Sequence, residues 1–176
     1  MKVGNPYSIW LRPQTPLIDE IQQDVFRISQ DAKTPNCQAH VTLIPDEVMD
    51  RNRLIEKVTE VAMEHKILHL EFTAVGISTE FWKSLYLHVK PTQELIDIRN
   101  DLFAAFDLEI TPFMPHLSIM YSDNIVPEKK YELRKKYRLE RYIGKLWNVD
   151  RISVYLTRQE DVYTNGWEKI TEIALG

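Results

Sequence analysis

Two rhythms of apolar residues run through the chain. Strict alternation marks strands: Tyr7, Ile9 and Leu11 share one face while Ser8 and Trp10 share the other, and Leu68, Leu70, Phe72 and Ala74 alternate up to Gly76. Helical spacing marks what lies between. Leu17, Ile18, Ile21, Val25 and Ile28 follow Pro13 and Pro16, and Leu54, Val58, Val61, Ala62 and His65 form a second amphipathic stripe. A third helix runs through Leu95, Leu102, Phe103 and Phe106, and a fourth over about 127–137. Strands over about 149–156 and 167–173, joined by a turn containing Asn165-Gly166, close the chain.

The pattern restarts half-way. Ser84-Leu85-Tyr86-Leu87 echoes Ser8-Ile9-Trp10-Leu11 at an offset of 76 residues. Lys90-Pro91 with Leu95-Ile96-Asp97 echoes Arg12-Pro13 with Leu17-Ile18-Asp19 at an offset of 78, and His116-Leu117-Ser118 echoes His40-Val41-Thr42 at 76. Three landmarks held within a two-residue shift predict an internal repeat, about 7–76 and 84–157, within one bilobal α+β domain spanning 1–176. Two halves of one order pair most simply about a pseudo-twofold axis. Antiparallel sheets then meet at a central cleft with helices outside, and each histidine strand is central in its own sheet. Ser8 and Trp10, with Ser84 and Tyr86, are expected to line that cleft.

Period two also places the chemistry. His40 and Thr42 leave one face of their strand, and His116 and Ser118 leave one face of theirs. Singly, each pair reads as an ordinary strand histidine near a common hydroxyl. Duplicated, they suggest two imidazoles and two hydroxyls in one cleft. Imidazole titrates near neutrality, so one can accept a proton from water while the other donates one to a leaving oxygen. Thr42 and Ser118 can each donate an O–H to a phosphoryl oxygen. That set can cleave a phosphate ester without a metal. The other histidines serve as controls: Ile67, Glu71 and Lys90 stand two positions after His65, His69 and His88. His65 is expected at the edge of the core, and His69 and His88 toward solvent.

Composition narrows the partners. The chain has 176 residues, 44% hydrophobic and 27% charged, enough for a proper core. A net charge of −4 argues against coating long nucleic acid, though a small nucleotide could bind locally. Cys37 is the only cysteine, which excludes an intramolecular disulfide and a cysteine-built zinc site. No long apolar run or leading signal pattern stands out, so the expectation is a cytoplasmic, reducing setting, no membrane partner, no cofactor and a monomer.

The two motifs resemble those of the two-histidine (2H) phosphoesterase superfamily. In detail the chain is similar to the small cyclic phosphodiesterases of plants and fungi. Tyr7-Ser8-Ile9-Trp10, Lys90-Pro91-Thr92 and the block from Pro112 through Ser118 to Tyr121 stand in that family's order over nearly the whole chain. The resemblance implies a bilobal α+β fold with a water-filled cleft. It implies hydrolysis of ADP-ribose 1″,2″-cyclic phosphate to the 1″-phosphate, and of nucleoside 2′,3′-cyclic phosphates to 2′-phosphates. On that pattern His116 activates water, His40 protonates the departing ribose oxygen, Thr42 and Ser118 hold the phosphate, and Trp10 and Tyr121 lie near the substrate. Ala39 departs from it, standing where the family often has proline. Strict alternation aims Tyr121 at the core, so it reaches the site only if its strand bends or ends by Met120.

Two other readings remain at this level. A 2H enzyme acting on RNA ends or 2′,5′-linked oligonucleotides would want a continuous basic track, which the acidic balance disfavours. A non-catalytic nucleotide-binding module would have no need of intact histidines and hydroxyls in both halves. The basic stretch Lys129, Lys130, Arg134, Lys135, Lys136, Arg138 and Arg141 reads first as a solvated face and second as an edge attracting a pyrophosphate. Trp82 reads as a mobile lid or a contact between lobes.

Overall fold

A computed structural model describes residues 5–176, so the expectation about the leading residues lies partly outside the described residues. Eight strands and four helices form in the order the periodicity predicts, with one strand added. They are β1 (Asn5–Leu11), α1 (Leu17–Ala32), β2 (Val41–Met49), α2 (Arg51–Glu64), β3 (Leu68–Ile77), β4 (Leu85–Val89), α3 (Gln93–Ala105), β5 (His116–Met120), α4 (Pro127–Lys136), β6 (Leu146–Val149), β7 (Arg151–Leu156) and β8 (Glu168–Ala174).

The helices begin and stop for local reasons. The Asp50 carboxylate accepts from the Arg53 N–H at 2.9 Å to open α2, and the Thr92 hydroxyl accepts from the Leu95 N–H at 3.3 Å to open α3. Lys33, left-handed at φ 55°, ends α1. Ile18, Ile21, Val25 and Ile28 are the buried stripe of α1, and Leu54, Val58, Val61 and Ala62 that of α2. Each of these leucine, isoleucine and valine side chains contributes about 1.5–3 kcal/mol on full burial. His65 lies just past the end of α2 as its cap, and its Nε2 meets Asp101 at 2.8 Å.

All strand pairs are antiparallel, in the order β6-β3-β4-β5-β2-β1-β7-β8. The sheet has two four-stranded halves joined at β2 and β5, where Val41 opposite Leu117 is the one registered pair. The histidine strands are therefore at the inner edges of their halves and are neighbours, not central in separate sheets. The reason is a strand exchange. β3 belongs to the first repeat, yet it pairs with β4, the next strand in sequence; β7 belongs to the second repeat and pairs with β1. Consecutive strands pair readily, and that pairing takes the outer side of β4 while leaving β5 free to face β2. The helices cross in the same sense: α1 packs on β5, α3 on β2, α2 on β7 and β8, and α4 on β3.

One strand was not separated by periodicity. The expected strand over 149–156 is β7, and it is preceded by an added strand: β6 pairs with β3, and after the single residue Asp150 the chain enters β7 in the other half. Trp147 of β6 packs on Phe72 at 5.1 Å. No helix among the described residues is long and apolar enough to cross a membrane.

Candidate active site

The single registered pair at the seam places the whole chemical set. With Val41 opposite Leu117 in an antiparallel pair, position 40 faces 118 and position 42 faces 116. His40 thus neighbours Ser118, and Thr42 neighbours His116, about a twofold axis between Val41 and Leu117. Val41 and Leu117 point to the other face and are fully buried. Because the ladder stops after one pair, the halves splay and leave a cavity of about 710 Å³ lined by all four residues, a size suited to a small ligand.

Both imidazoles are tied in one way. His40 Nδ1 lies 2.6 Å from the Gln38 carbonyl, and His116 Nδ1 lies 2.9 Å from the Met114 carbonyl, each two residues back. A carbonyl can only accept, so each Nδ1 carries the proton and each Nε2 is left as the group available to a ligand. A neutral ring is then a base at Nε2, and a protonated ring is an acid there. Burial pushes the His40 pKa down to about 3, against the pull of the Gln38 carbonyl, with Arg12 and His116 lowering it further. His116, half-buried, is lowered for the same first reason, with Lys83 also acting against its charge. The Ser118 hydroxyl donates to the Trp82 carbonyl at 2.6 Å. A ligand oxygen needing that proton must compete with the carbonyl. Thr42 is half-exposed in the cavity wall.

The expected aromatic walls are rearranged. Trp10 touches the cavity but is only 1% exposed. It lies face to face with His40, centroids 3.6 Å apart at 8°, and stacks on Tyr155 behind at 4.0 Å. It is a platform under the imidazole rather than a free wall. Tyr121 does reach the cavity, because β5 ends at Met120 and alternation no longer governs the next residue. Tyr86 does not line the cavity. It pairs with Ser118 across β4–β5, and its ring meets the edge of His116 at 5.5 Å. Ser84 fails as the partner of Ser8: it ends a short 3-10 turn in a helical conformation, so strand alternation never reaches it, and it is fully buried. Trp82 is 41% exposed and makes an edge contact with Tyr121 at 5.2 Å, with Trp167 at 6.2 Å.

A family model described as the 2'-5' RNA ligase superfamily matches residues 6–161. The chain belongs to that superfamily. With a relative named cyclic phosphodiesterase beside that match, it is an enzyme of phosphodiester hydrolysis, and its two histidine motifs line one cavity. A curated relative named cyclic phosphodiesterase, from Arabidopsis thaliana, is 24% identical over 167 residues, covering 93% of this chain and 92% of the relative. Among solved structures, TT0787 of Thermus thermophilus aligns with a TM-score of 0.66 at 10% identity, covering 97% of each chain. LigT of E. coli, solved with phosphate, aligns at 0.59 and 13% identity, covering 98% of this chain and 99% of that one. These likenesses show the fold.

Within this superfamily member, several site groups carried no sequence signal. The Gln38 and Met114 carbonyls act through backbone. Trp167 is brought in by β8, and its indole N–H donates to the Arg158 carbonyl at 2.9 Å. Thr157 and Asp46 lie in the cavity wall, where the Thr157 hydroxyl donates to Asp46 Oδ1 at 2.6 Å beside Ser8, the residue expected there, which donates to the same oxygen at 2.9 Å. Arg99 and Lys83 also line it. A helical period shows which face of α3 Arg99 occupies, but not that α3 abuts β2. Ala39, where the family often has proline, uses the N–H that proline lacks: it donates to Gln22 Oε1 at 2.8 Å, while the Ala39 carbonyl accepts from Arg12. Local rigidity there comes from side chains instead of a ring.

The remaining histidines stay out of the cavity. His69 is exposed beside Asn148, and His88 is half-buried and lies across from His116 with Thr73 at its Nδ1. The basic stretch lines a separate surface hollow through Arg134, Lys135, Arg138 and Arg141. Arg134 pairs with Glu140, Arg141 with Asp24 and Lys136 with Asp31. Lys130 is buried, with Nζ donating to the Ser78 carbonyl at 2.7 Å, and so anchors the segment that carries Trp82. Among the described residues no three His, Cys, Asp or Glu side chains gather to hold a metal ion.

Proposed function

We propose that this phosphodiesterase opens small cyclic phosphodiesters without a metal: ADP-ribose 1″,2″-cyclic phosphate to ADP-ribose 1″-phosphate, and nucleoside 2′,3′-cyclic phosphates to 2′-phosphates. The observation that carries the reading is the pair of Nε2 atoms left available to one cavity by matching Nδ1–carbonyl bonds. A curated relative named cyclic phosphodiesterase over nearly the full length of both chains supports it.

In the reaction, water adds to phosphorus and one ring P–O bond breaks. His116 takes the water proton at Nε2, and His40 gives a proton to the departing ribose oxygen, leaving a phosphomonoester. Thr42 and Ser118 donate to the non-bridging oxygens as their charge grows. Both imidazoles are disfavoured as cations in the free cleft, His40 more so because it is more buried. The substrate's own negative charge offsets that cost, so the proton that His40 donates is held once the phosphodiester is bound. After turnover His116 returns its proton to solvent. The enzyme works as a monomer on a small nucleotide, in the cytoplasm.

The test is incubation with ADP-ribose 1″,2″-cyclic phosphate and 2′,3′-cyclic AMP in chelator, with products resolved by phosphorus NMR. Both His40→Ala and His116→Ala are expected to lose at least about 10²–10⁴-fold in kcat, the usual range for a general acid or base. Full activity in either variant, or activity abolished by chelator, refutes the scheme.

A further inference from the structure

Of the buried cations described so far, Arg99 differs from Lys130 in lining the cavity that holds the two histidines. It is 5% exposed, and no carboxylate pairs with it among the described residues. Its guanidinium lies in a slot between two rings, 4.1 Å from the Phe103 centroid and 4.5 Å from that of Phe113. Nη1 donates to the Thr111 carbonyl at 3.1 Å and Nη2 to the Thr111 hydroxyl at 2.9 Å. Nε is buried with no partner. A guanidinium has five N–H donors, and these bonds use two. The group lines the same cavity as His40 and His116.

Burying a cation without a counter-charge is costly, and two aromatic faces offset only part of that cost. Such a group is poised for an anion that arrives with the ligand. We propose that Arg99 binds a second, non-reacting phosphate of the substrate, a terminal phosphate or one of a bridging diphosphate, while the cyclic phosphate lies between the histidines. The proposal rests on the hydrolytic reading above. It gives the cavity a preference among cyclic phosphodiesters that the two motifs alone do not supply. The cations of α4 do not compete for the role, because they line the separate hollow and several are already paired.

Steady-state kinetics on three substrates test this: adenosine 2′,3′-cyclic phosphate, the same nucleotide carrying a 5′-phosphate, and ADP-ribose 1″,2″-cyclic phosphate. In the unmodified enzyme a phosphate-bearing substrate has a KM about tenfold or more below that of the bare nucleotide. Arg99→Gln raises that KM by about tenfold to a hundredfold, as loss of a charge-assisted hydrogen bond should, and leaves the bare nucleotide within about twofold. Arg99→Lys recovers part of the loss. An effect confined to the ADP-ribose compound assigns the bridging diphosphate; one shared with the 5′-phosphate assigns a terminal group. Equal loss on all three substrates means that Arg99 only anchors Thr111, and overturns the proposal. Equal KM values in the unmodified enzyme overturn it without any variant, which covers an Arg99→Gln protein that fails to fold. If none of the three is turned over, the hydrolytic reading falls, and calorimetric titration with inorganic pyrophosphate still reads the subsite. Binding lost in Arg99→Gln supports it; equal binding, or none to either protein, overturns it.

Discussion

Replacing Trp10 with Phe separates a platform from a substrate wall. Trp10 is 1% exposed, with His40 stacked on one face and Tyr155 on the other. Phe keeps an aromatic face but loses the second ring, leaving a void of roughly 40 Å³; at about 24 cal/mol per Å³ that costs ~1 kcal/mol, with ~1 kcal/mol more for the lost apolar transfer. The two stacked contacts, each worth about 0.5–1.5 kcal/mol, are weakened as well. A total of about 2–3 kcal/mol, with a urea m-value near 2 kcal/mol/M, lowers the unfolding midpoint by about 1–1.5 M. The imidazole loses its backing, and a shift approaching 1 Å in a catalytic group can cost about 10²-fold. Kinetics on 2′,3′-cyclic AMP should therefore show kcat falling about tenfold to a hundredfold with KM within about twofold. A KM raised tenfold, with kcat and the urea midpoint unchanged, would mean that Trp10 contacts substrate, and the platform argument would be wrong.

Two further outcomes follow from the same geometry. The folded-state pKa of His40, about 3, lies below its unfolded value near 6.5. The unfolded chain thus takes up the proton first, and stability is lost as pH falls below about 6.5, by roughly 3 kcal/mol at pH 4.5. A His40→Asn protein lacks this dependence, so urea midpoints of the two proteins should diverge between pH 7 and 4.5, and parallel curves would refute the assignment. Gly76→Ala places a Cβ 2.1 Å from the Tyr86 ring, which must swing away from the edge of His116. Activity should fall by about tenfold, Tyr86→Ala should fall as far, and Gly76→Ala/Tyr86→Ala should lose no more than either alone, whereas losses that add would show that the backbone at 76 is at fault.

The site was legible in the sequence wherever local periodicity carried it. His40 with Thr42, and His116 with Ser118, share faces because strand side chains alternate, and their duplication pointed to one cleft. Tyr121 could be placed only conditionally, since its direction turns on whether β5 ends at Met120. Trp10 was assigned to the cleft face, where it lies, but its neighbours were not legible: alternation says which way a ring leaves the strand, not that His40 stacks on it or that Tyr155 of β7 closes behind it. Ser84 and Tyr86 show the limit of a sequence echo. A turn replaces the strand at Ser84, and Tyr86, though still in β4, meets the edge of His116 because its neighbour across the sheet is Ser118.

The sequence by itself determined most of the elements and set His40 with Thr42, and His116 with Ser118, on shared faces, because spacing along one chain is enough to set the faces of strands and helices. Only the tertiary structure decided which faces meet. The exchange of β3 and β7 between halves brings β2 beside β5, and one registered pair there sets His40 against Ser118 and His116 against Thr42. Burial then disfavours the charged form of both rings, and the packing of α3 on β2 accompanies a guanidinium without a carboxylate partner in the same cavity wall. Each of these depends on contacts between residues far apart in the chain, where neither periodicity nor local preference acts.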